Sequence, residues 1–189
     1  MSQTLSRQTK KTVSLLPEPS RKRPFYVYEV KRLISGSKNS NPLFDLGFNF
    51  YRNLEEIPRG KSLQDLEGVV RWDLTQKKWE RDVSTHDRYH YHGRVSEVID
   101  GDTFRVVIDL GFKCFTRQYL RLSAVNAPEL KTSAGKKVKV ELMKLLAEGA
   151  AIEFISLGYD RYRRYISDVW FRDEYLSNFL LKNHLAKKA

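Results

Sequence analysis

Asp100, Asp102 and Glu129 stand at the ends of β-prone runs, and Asn126 lies shortly before the glutamate. Strong bases come from other segments: Arg121 ahead of the Pro128-Glu129 turn, and Arg161, Arg163 and Arg164 after a later run. This mixture suits phosphodiester hydrolysis. A hard divalent ion takes oxygen ligands. A carboxylate can orient or deprotonate the attacking water. Guanidinium groups grip phosphate oxygens in pairs and stabilise the charge that builds on them. Taken singly, each acid fits an ordinary turn and each arginine a solvated face. The ordered set is harder to explain that way.

Elements able to position these residues are readable from Tyr91 onward. Val95, Val98 and Ile99 begin an apolar rhythm, and Asp100-Gly101-Asp102 is a tight turn signal. Phe104–Leu110 is predicted as a strand, Gly111 as a turn, and Lys113–Val125 as a long strand that Pro128 ends. Thr132 or Ser133 can cap a helix running to about Ala147, with Val138, Leu142, Leu145 and Leu146 on one face and Gly149 as its stop. Ala151–Leu157 and Tyr165–Phe171 read as strands, and Glu174–Asn183 as an amphipathic helix. Three strands, a helix, two strands and a helix make an α+β unit. Its natural closed form is an OB-like five-stranded β-barrel.

Ahead of this unit the chain divides in two. Residues 1–24 carry six Lys/Arg against one acid, with Pro17, Pro19 and Pro24, and are expected to be a basic flexible arm. Residues 25–85 are expected to form a small N-terminal module, α+β or β-rich. Phe25–Val30 is β-prone, Ser35–Pro42 is a loop, and Leu43–Tyr51 concentrates aromatics. Gly68–Trp72 and Thr75–Trp79 suggest two short strands with a turn between. The aromatics are read as core rather than as a base-stacking platform. His86, His90 and His92 are read as part of a linker entering a strand, although two histidines two apart could share a metal. The nuclease-sized unit then covers 89–189.

The 189 residues include 41% apolar ones, enough for a folded core. No run approaches the roughly 18 apolar residues of a membrane span, and the first residues lack the apolar stretch of a secretory signal. A cytoplasmic protein without membrane partners is therefore expected. The single cysteine, Cys114, excludes an internal disulfide and a cysteine-based zinc site, and is expected to be a buried thiol. Thirty-four Lys/Arg against 23 Asp/Glu give a net charge of +11, which attracts polyanions. The surplus lies in residues 1–24 and 91–189, while 25–90 is nearly balanced.

Three motifs then carry a resemblance. Val98-Ile99-Asp100-Gly101-Asp102-Thr103 resembles the first signature of the staphylococcal nuclease (thermonuclease) family. Arg121 followed by Asn126-Ala127-Pro128-Glu129 resembles its second, usually an arginine followed by D-x-P-E. Tyr159-Asp160-Arg161-Tyr162-Arg163-Arg164 resembles its third, usually D-K-Y-G-R. The likeness covers about residues 89–186. It implies an OB-like barrel and a calcium-dependent enzyme that cuts DNA and RNA, with magnesium or manganese as alternative ions. Asp102 then corresponds to a direct calcium ligand, Asn126 to a second carboxylate ligand, and Ala127 to a ligand through its main-chain carbonyl. Asp100 is a carboxylate near the ion but not on it. Glu129 corresponds to the glutamate that activates water, and Arg121 and Arg164 to the arginines that bind phosphate. Tyr159 and Tyr162 fall beside the nucleotide site, for which Arg163 adds positive charge.

The sequence departs from that pattern at three points. Asn126 replaces a carboxylate, which removes a negative charge and should weaken calcium binding. Arg163 stands where the family often has glycine. The chain stops at Ala189, where the prototype continues into a further helix. Two functions follow as expectations: a metal-dependent endonuclease of little sequence preference, or an OB-like nucleic-acid-binding module that no longer cuts. A protein partner or self-association through residues 25–85 is compatible with either.

Overall fold

A computed structural model describes residues 14–20, 25–31, 42–57, 63, 68–81 and 88–189. Most of the expected arm, most of the Ser35–Pro42 loop and His86 lie outside these residues.

The first sheet is built from β1 (Val27–Lys31), β2 (Leu43–Gly47), β3 (Phe50–Asn53), β4 (Gly68–Asp73) and β5 (Lys78–Glu80). Its order is β3-β2-β1-β4-β5, antiparallel throughout. The N-terminal module is thus β-rich, with a 3-10 turn at Leu54–Glu56. The aromatic stretch after Leu43 is a hairpin. Its two-residue turn, Phe48-Asn49, has φ of 53° and 62°. A turn this tight needs positive φ at both central positions, which asparagine tolerates and phenylalanine does not. The strain at Phe48 is offset by packing, since its ring lies 4.5 Å from that of Tyr165 and 5.0 Å from that of Tyr91.

The second body is a closed barrel of β6 (His90–Val98), β7 (Thr103–Asp109), β8 (Phe115–Leu122), β10 (Ala151–Tyr159) and β11 (Tyr165–Phe171). Neighbours pair antiparallel from β10 through β6 and β7 to β8. A parallel β8–β11 pair and an antiparallel β10–β11 pair then close the ring. Closure leaves no sheet edge within the barrel. Alternation along β7 places Phe104, Val106 and Ile108 inside, all fully buried. This is the OB-like architecture of staphylococcal nuclease, with helix α1 (Ser133–Leu145) between the third and fourth barrel strands. Helix α2 (Leu176–Lys182) follows the two-residue strand β12 (Glu174–Tyr175). The helix expected from Glu174 therefore starts later. Glu174 and Tyr175 pair instead with Phe171 and Trp170.

The long strand expected over Lys113–Val125 is interrupted. Ser123 and Ala124 form a turn, and Val125–Asn126 is a separate strand, β9, that pairs with β13 (Lys187–Lys188). The chain's last residues thus brace the loop that carries Asn126.

Sheet and barrel share one hydrophobic cluster. Tyr28, Val30, Phe44, Leu46 and Val70 of the sheet pack with Tyr91, Ile108 and Leu110 of the barrel. Two buried hydrogen bonds cross the junction, Tyr28 Oη to the Leu110 carbonyl at 2.8 Å and Tyr91 Oη to the Leu46 carbonyl at 3.1 Å. Burial raises both phenol pKa values well above the ordinary tyrosine range. Both hydroxyls therefore act as neutral donors.

Of the expected arm, residues 14–20 lie along the barrel. Asn178 exchanges two hydrogen bonds with the Leu16 main chain, at 2.9 and 3.1 Å, and Trp170 Nε1 donates to Glu18 at 3.0 Å. Among the described residues no helix is long and apolar enough to cross a membrane.

Candidate active site

The site gathers from three segments. The first is the turn between β6 and β7. Asp100 Oδ1 accepts the Asp102 N–H at 3.0 Å, and the Ile99 and Asp100 N–H groups both donate to the Thr103 carbonyl. Gly101 is required here by space rather than by φ. A Cβ at this position would lie 2.7 Å from both Ala127 Cβ and Val138 Cγ1. The turn is therefore pressed between the second segment and helix α1.

Asp102 is 7% exposed. Its Oδ2 accepts the Ala127 N–H at 2.9 Å, and its Oδ1 accepts the Thr103 hydroxyl at 3.1 Å. Burial raises its carboxyl pKa above the usual value. The Ala127 N–H and Arg121 oppose that shift, and Asp100 adds to it. Burial and the neighbouring carboxylate thus outweigh its stabilising partners, so a cation at this position would relieve an existing cost.

Arg121 sits on β8 opposite Thr103 in the register. Its Nη2 lies 3.9 Å from Asp102 Oδ2 and donates to the Asn126 amide oxygen. Asn126 is exposed on β9, held by pairing with Lys187. Ala127 follows it, tied to Asp102 through its N–H.

The third segment is the loop joining β10 to β11. Arg164 Nη1 donates to Thr103 Oγ1 at 3.2 Å, while Nε and Nη2 donate to Asp160 Oδ2 at 2.9 and 2.7 Å. Asp160 Oδ1 also accepts the Tyr162 and Arg164 N–H groups. Burial alone would raise the Asp160 pKa, but these donors outweigh it and hold the carboxyl below the usual carboxylate range. Arg163 occupies the left-handed region at φ 61°. The loop keeps the turn that glycine would make easily, at a conformational cost. Tyr162 is exposed with the Arg164 guanidinium 5.4 Å from its ring centre, and Tyr159 packs edge-on to Tyr165 at 6.0 Å.

Asp100, Asp102, Arg121, Asn126, Ala127 and Arg164 are therefore one connected set, with Thr103 as the link between the two arginine clusters. Glu129 stands apart. Its side chain is 71% exposed and paired to Lys131 at 2.7 Å, which lowers its pKa. Its main chain is fixed, however. The Glu129 carbonyl accepts both the Thr132 N–H and hydroxyl, and a Cβ on Gly135 would lie 2.1 Å from that oxygen. The start of α1 thus presses on the Glu129 peptide and leaves the side chain free to turn. Thr103 and Asp160 lie inside the quoted motifs, but their roles depend on register and loop closure, which spacing does not encode.

The oxygens available to a divalent cation are the Asp102 carboxylate, the Asn126 amide, the Ala127 carbonyl and, at its margin, Asp100. All are hard donors, so the set fits calcium, magnesium or manganese, but it is poor in charge. No cluster of three or more His, Cys, Asp or Glu able to hold a metal occurs among the described residues. His90 and His92 both stack on the Phe25 ring, at 4.0 and 3.9 Å. His90 also meets Glu153 at 2.8 Å.

With that geometry established, comparison with curated proteins gives two partial matches. The chain is 33% identical over 67 residues to staphylococcal-like nuclease CAN1 of Arabidopsis thaliana, covering 35% of this chain and 20% of the relative. It is 26% identical over 86 residues to probable staphylococcal-like nuclease CAN2 of Oryza sativa subsp. japonica, covering 45% of this chain and 23% of the relative. The barrel is staphylococcal nuclease-like. The matched part spans about a fifth of each relative's length, and no protein-family profile matches the chain. Within this staphylococcal nuclease-like barrel the two changed motif positions act differently. Arg163 leaves the loop closed around Arg164, whereas Asn126 removes a charge from the set around Asp102.

Proposed function

We propose that the protein is a metal-dependent endonuclease that hydrolyses phosphodiester bonds of DNA or RNA with little sequence preference. The observation that carries this reading is the convergence of Arg121, from strand β8, and Arg164, from the loop joining β10 to β11, on the Asp102–Thr103 pair. Two guanidinium groups beside one buried carboxylate suit a phosphodiester and its pentacoordinate transition state. Both relatives are named as nucleases, and the net charge of +11 favours a polyanion.

Asp102, Asn126 and Ala127 would hold the ion, with Asp100 orienting the turn. When bound, a divalent cation supplies Lewis acidity to a phosphate oxygen. Arg121 and Arg164 bind the remaining oxygens. Glu129 swings away from Lys131 and accepts a proton from the attacking water as its oxygen bonds to phosphorus. The opposite P–O bond breaks and the leaving oxygen takes up a proton from solvent water. Contacts of this kind address phosphate and sugar and therefore carry little sequence information.

A second reading is a binding module that does not cut. It is favoured by Asn126 in place of a carboxylate, with its amide oxygen engaged by Arg121. One assay separates the two: cleavage of single- and double-stranded DNA and RNA with calcium, magnesium, manganese or chelator. The endonuclease reading expects cutting that needs a metal and falls at least about a hundredfold in Glu129→Gln, with folding unchanged. Tight binding without cutting under every metal would establish the second reading instead.

A further inference from the structure

A cavity of about 350 Å³ lies where the first sheet meets the barrel. Its walls come from both bodies: Phe48, Asn49 and Tyr51 of the β2–β3 hairpin, and Tyr89, Tyr159 and Tyr165 of the barrel. We propose that this cavity holds one unpaired base of the nucleic-acid strand whose phosphate lies on Arg164, so that the N-terminal sheet forms part of the substrate site. The proposal rests on the nuclease reading for the identity of the strand.

Three observations point to a base. The first is position. Tyr159 and Tyr165 are register partners at the root of the 160–164 loop, and this loop delivers Arg164 to Thr103. Arg164 itself is outside the wall, but its chain neighbour Tyr165 lines the cavity. The second is chemistry. Tyr51 and Tyr159 are 41% and 70% exposed, and base–aromatic stacking is tolerant of sequence. The exposed Asn49 amide can donate to or accept from a base edge. The third is charge. Lys31 in the wall is committed to Asp45 at 2.6 Å and Glu29 at 3.1 Å. The cavity is thus close to neutral, unsuited to a phosphate and suited to an uncharged ring. Its volume is in the range of small-ligand pockets. A base paired within a duplex is stacked and cannot enter it without being extruded.

The test measures binding in chelator, so cutting plays no part. Fluorescence anisotropy with a labelled single-stranded thymidine oligonucleotide and a labelled duplex is compared for the 189-residue chain, Tyr51→Ala and Tyr51→Phe. The proposal expects Tyr51→Ala to weaken single-strand binding about tenfold. Duplex binding should stay within about twofold, and Tyr51→Phe should behave as the parent. Equal single-strand affinity in parent and Tyr51→Ala overturns it, as does an equal loss for single strand and duplex. A second measurement needs no variant. Thymidine hexamers carrying one abasic position each are titrated against the parent protein. One position should dominate the loss, and equal losses at every position overturn the proposal. Failure of the nuclease reading appears separately, as absence of cutting with every metal, and leaves these binding results decisive for the cavity.

Discussion

Asp160 is the residue on which the Arg164 side of the site turns. It accepts two side-chain and one main-chain hydrogen bond from Arg164, plus the Tyr162 N–H, so the carboxylate both closes the loop and aims the guanidinium. Charge-assisted bonds to a half-buried carboxylate contribute about 1–3 kcal/mol. Its pKa is lower in the folded state than in the unfolded chain. That stability is therefore present above the unfolded value and lost as pH falls through the folded one. Asp160→Asn should lower stability by about 1–3 kcal/mol near pH 7, and the gap to the parent should close toward pH 3. Denaturant midpoints at both pH values check this, and a gap independent of pH would refute the assignment. Cutting should fall with it, because Arg164 loses its guide. At Arg163 the opposite sign is expected. A side chain at φ 61° costs about 1–2 kcal/mol relative to an easy left-handed residue. Arg163→Gly should therefore stabilise by about 1 kcal/mol, read as a higher denaturation midpoint, and an unchanged or lower midpoint would refute this.

At the scale of elements, helix α1 is a positioning device as much as a core element. Thr132 caps it by accepting the Gly135 N–H at 2.9 Å, and the same hydroxyl donates to the Glu129 carbonyl at 2.7 Å. The helix therefore begins against the peptide that carries Glu129, the residue proposed to activate water. Gly135→Ala sets two effects in opposition. Alanine favours a helix by about 1 kcal/mol over glycine. The new Cβ would meet a main-chain oxygen at 2.1 Å, and main chain cannot swing aside as a flexible side chain can. Overpacking of this kind costs about 1–3 kcal/mol. The clash should win, giving a net loss of stability and slower cutting through a displaced Glu129. A thermal melt and a rate measurement on Gly135→Ala check both parts, and a more stable variant would mean that the loop is slack. The sequence announced much of this element. The Thr132 cap and the buried Val138 and Leu142 follow from local chemistry, whereas the helix ends at Leu145 with Leu146 as its cap, short of the expected Ala147 and of Gly149. Periodicity gave Tyr165–Phe171 for a similar reason. The Phe48–Asn49 hairpin was illegible, because its turn places a phenylalanine at positive φ, and only the distant rings of Tyr91 and Tyr165 make that tolerable. The β9–β13 pair was equally hidden, since each partner has two residues and no periodicity to read. The pairing of Glu129 with Lys131, two positions away, is visible in the sequence only as two opposite charges and becomes a contact through side-chain geometry.

For the whole molecule, the main consequence is that the N-terminal sheet is a layer of the core. Charge composition separates residues 25–85 from the barrel, but alternation in β1 and β2 sends Tyr28, Val30, Phe44 and Leu46 into the same cluster as the barrel's Leu110 and Tyr91. Phe112 of the barrel packs against the rings of both Tyr28 and Trp79, at 5.3 and 5.9 Å. A chain beginning at Arg88 would keep Glu129 and the connected set from Asp100 to Arg164, and would lose this cover together with the sheet's wall of the cavity. Each large apolar side chain returned to water forfeits about 1.5–3 kcal/mol, and several are involved. Domains of this size are stable by only about 5–15 kcal/mol. Removal of residues 1–87 should therefore abolish cooperative unfolding, or lower the melting temperature by tens of degrees, as read by circular dichroism. A barrel that melts as sharply and as high as the full chain would mean that the sheet is a separable module, and any role of residues 25–85 in self-association would then have its whole surface available. If the melt collapses as expected, self-association is left with the sheet's outer face and the β3 and β5 edges, and sizing the full chain by light scattering reads whether it occurs.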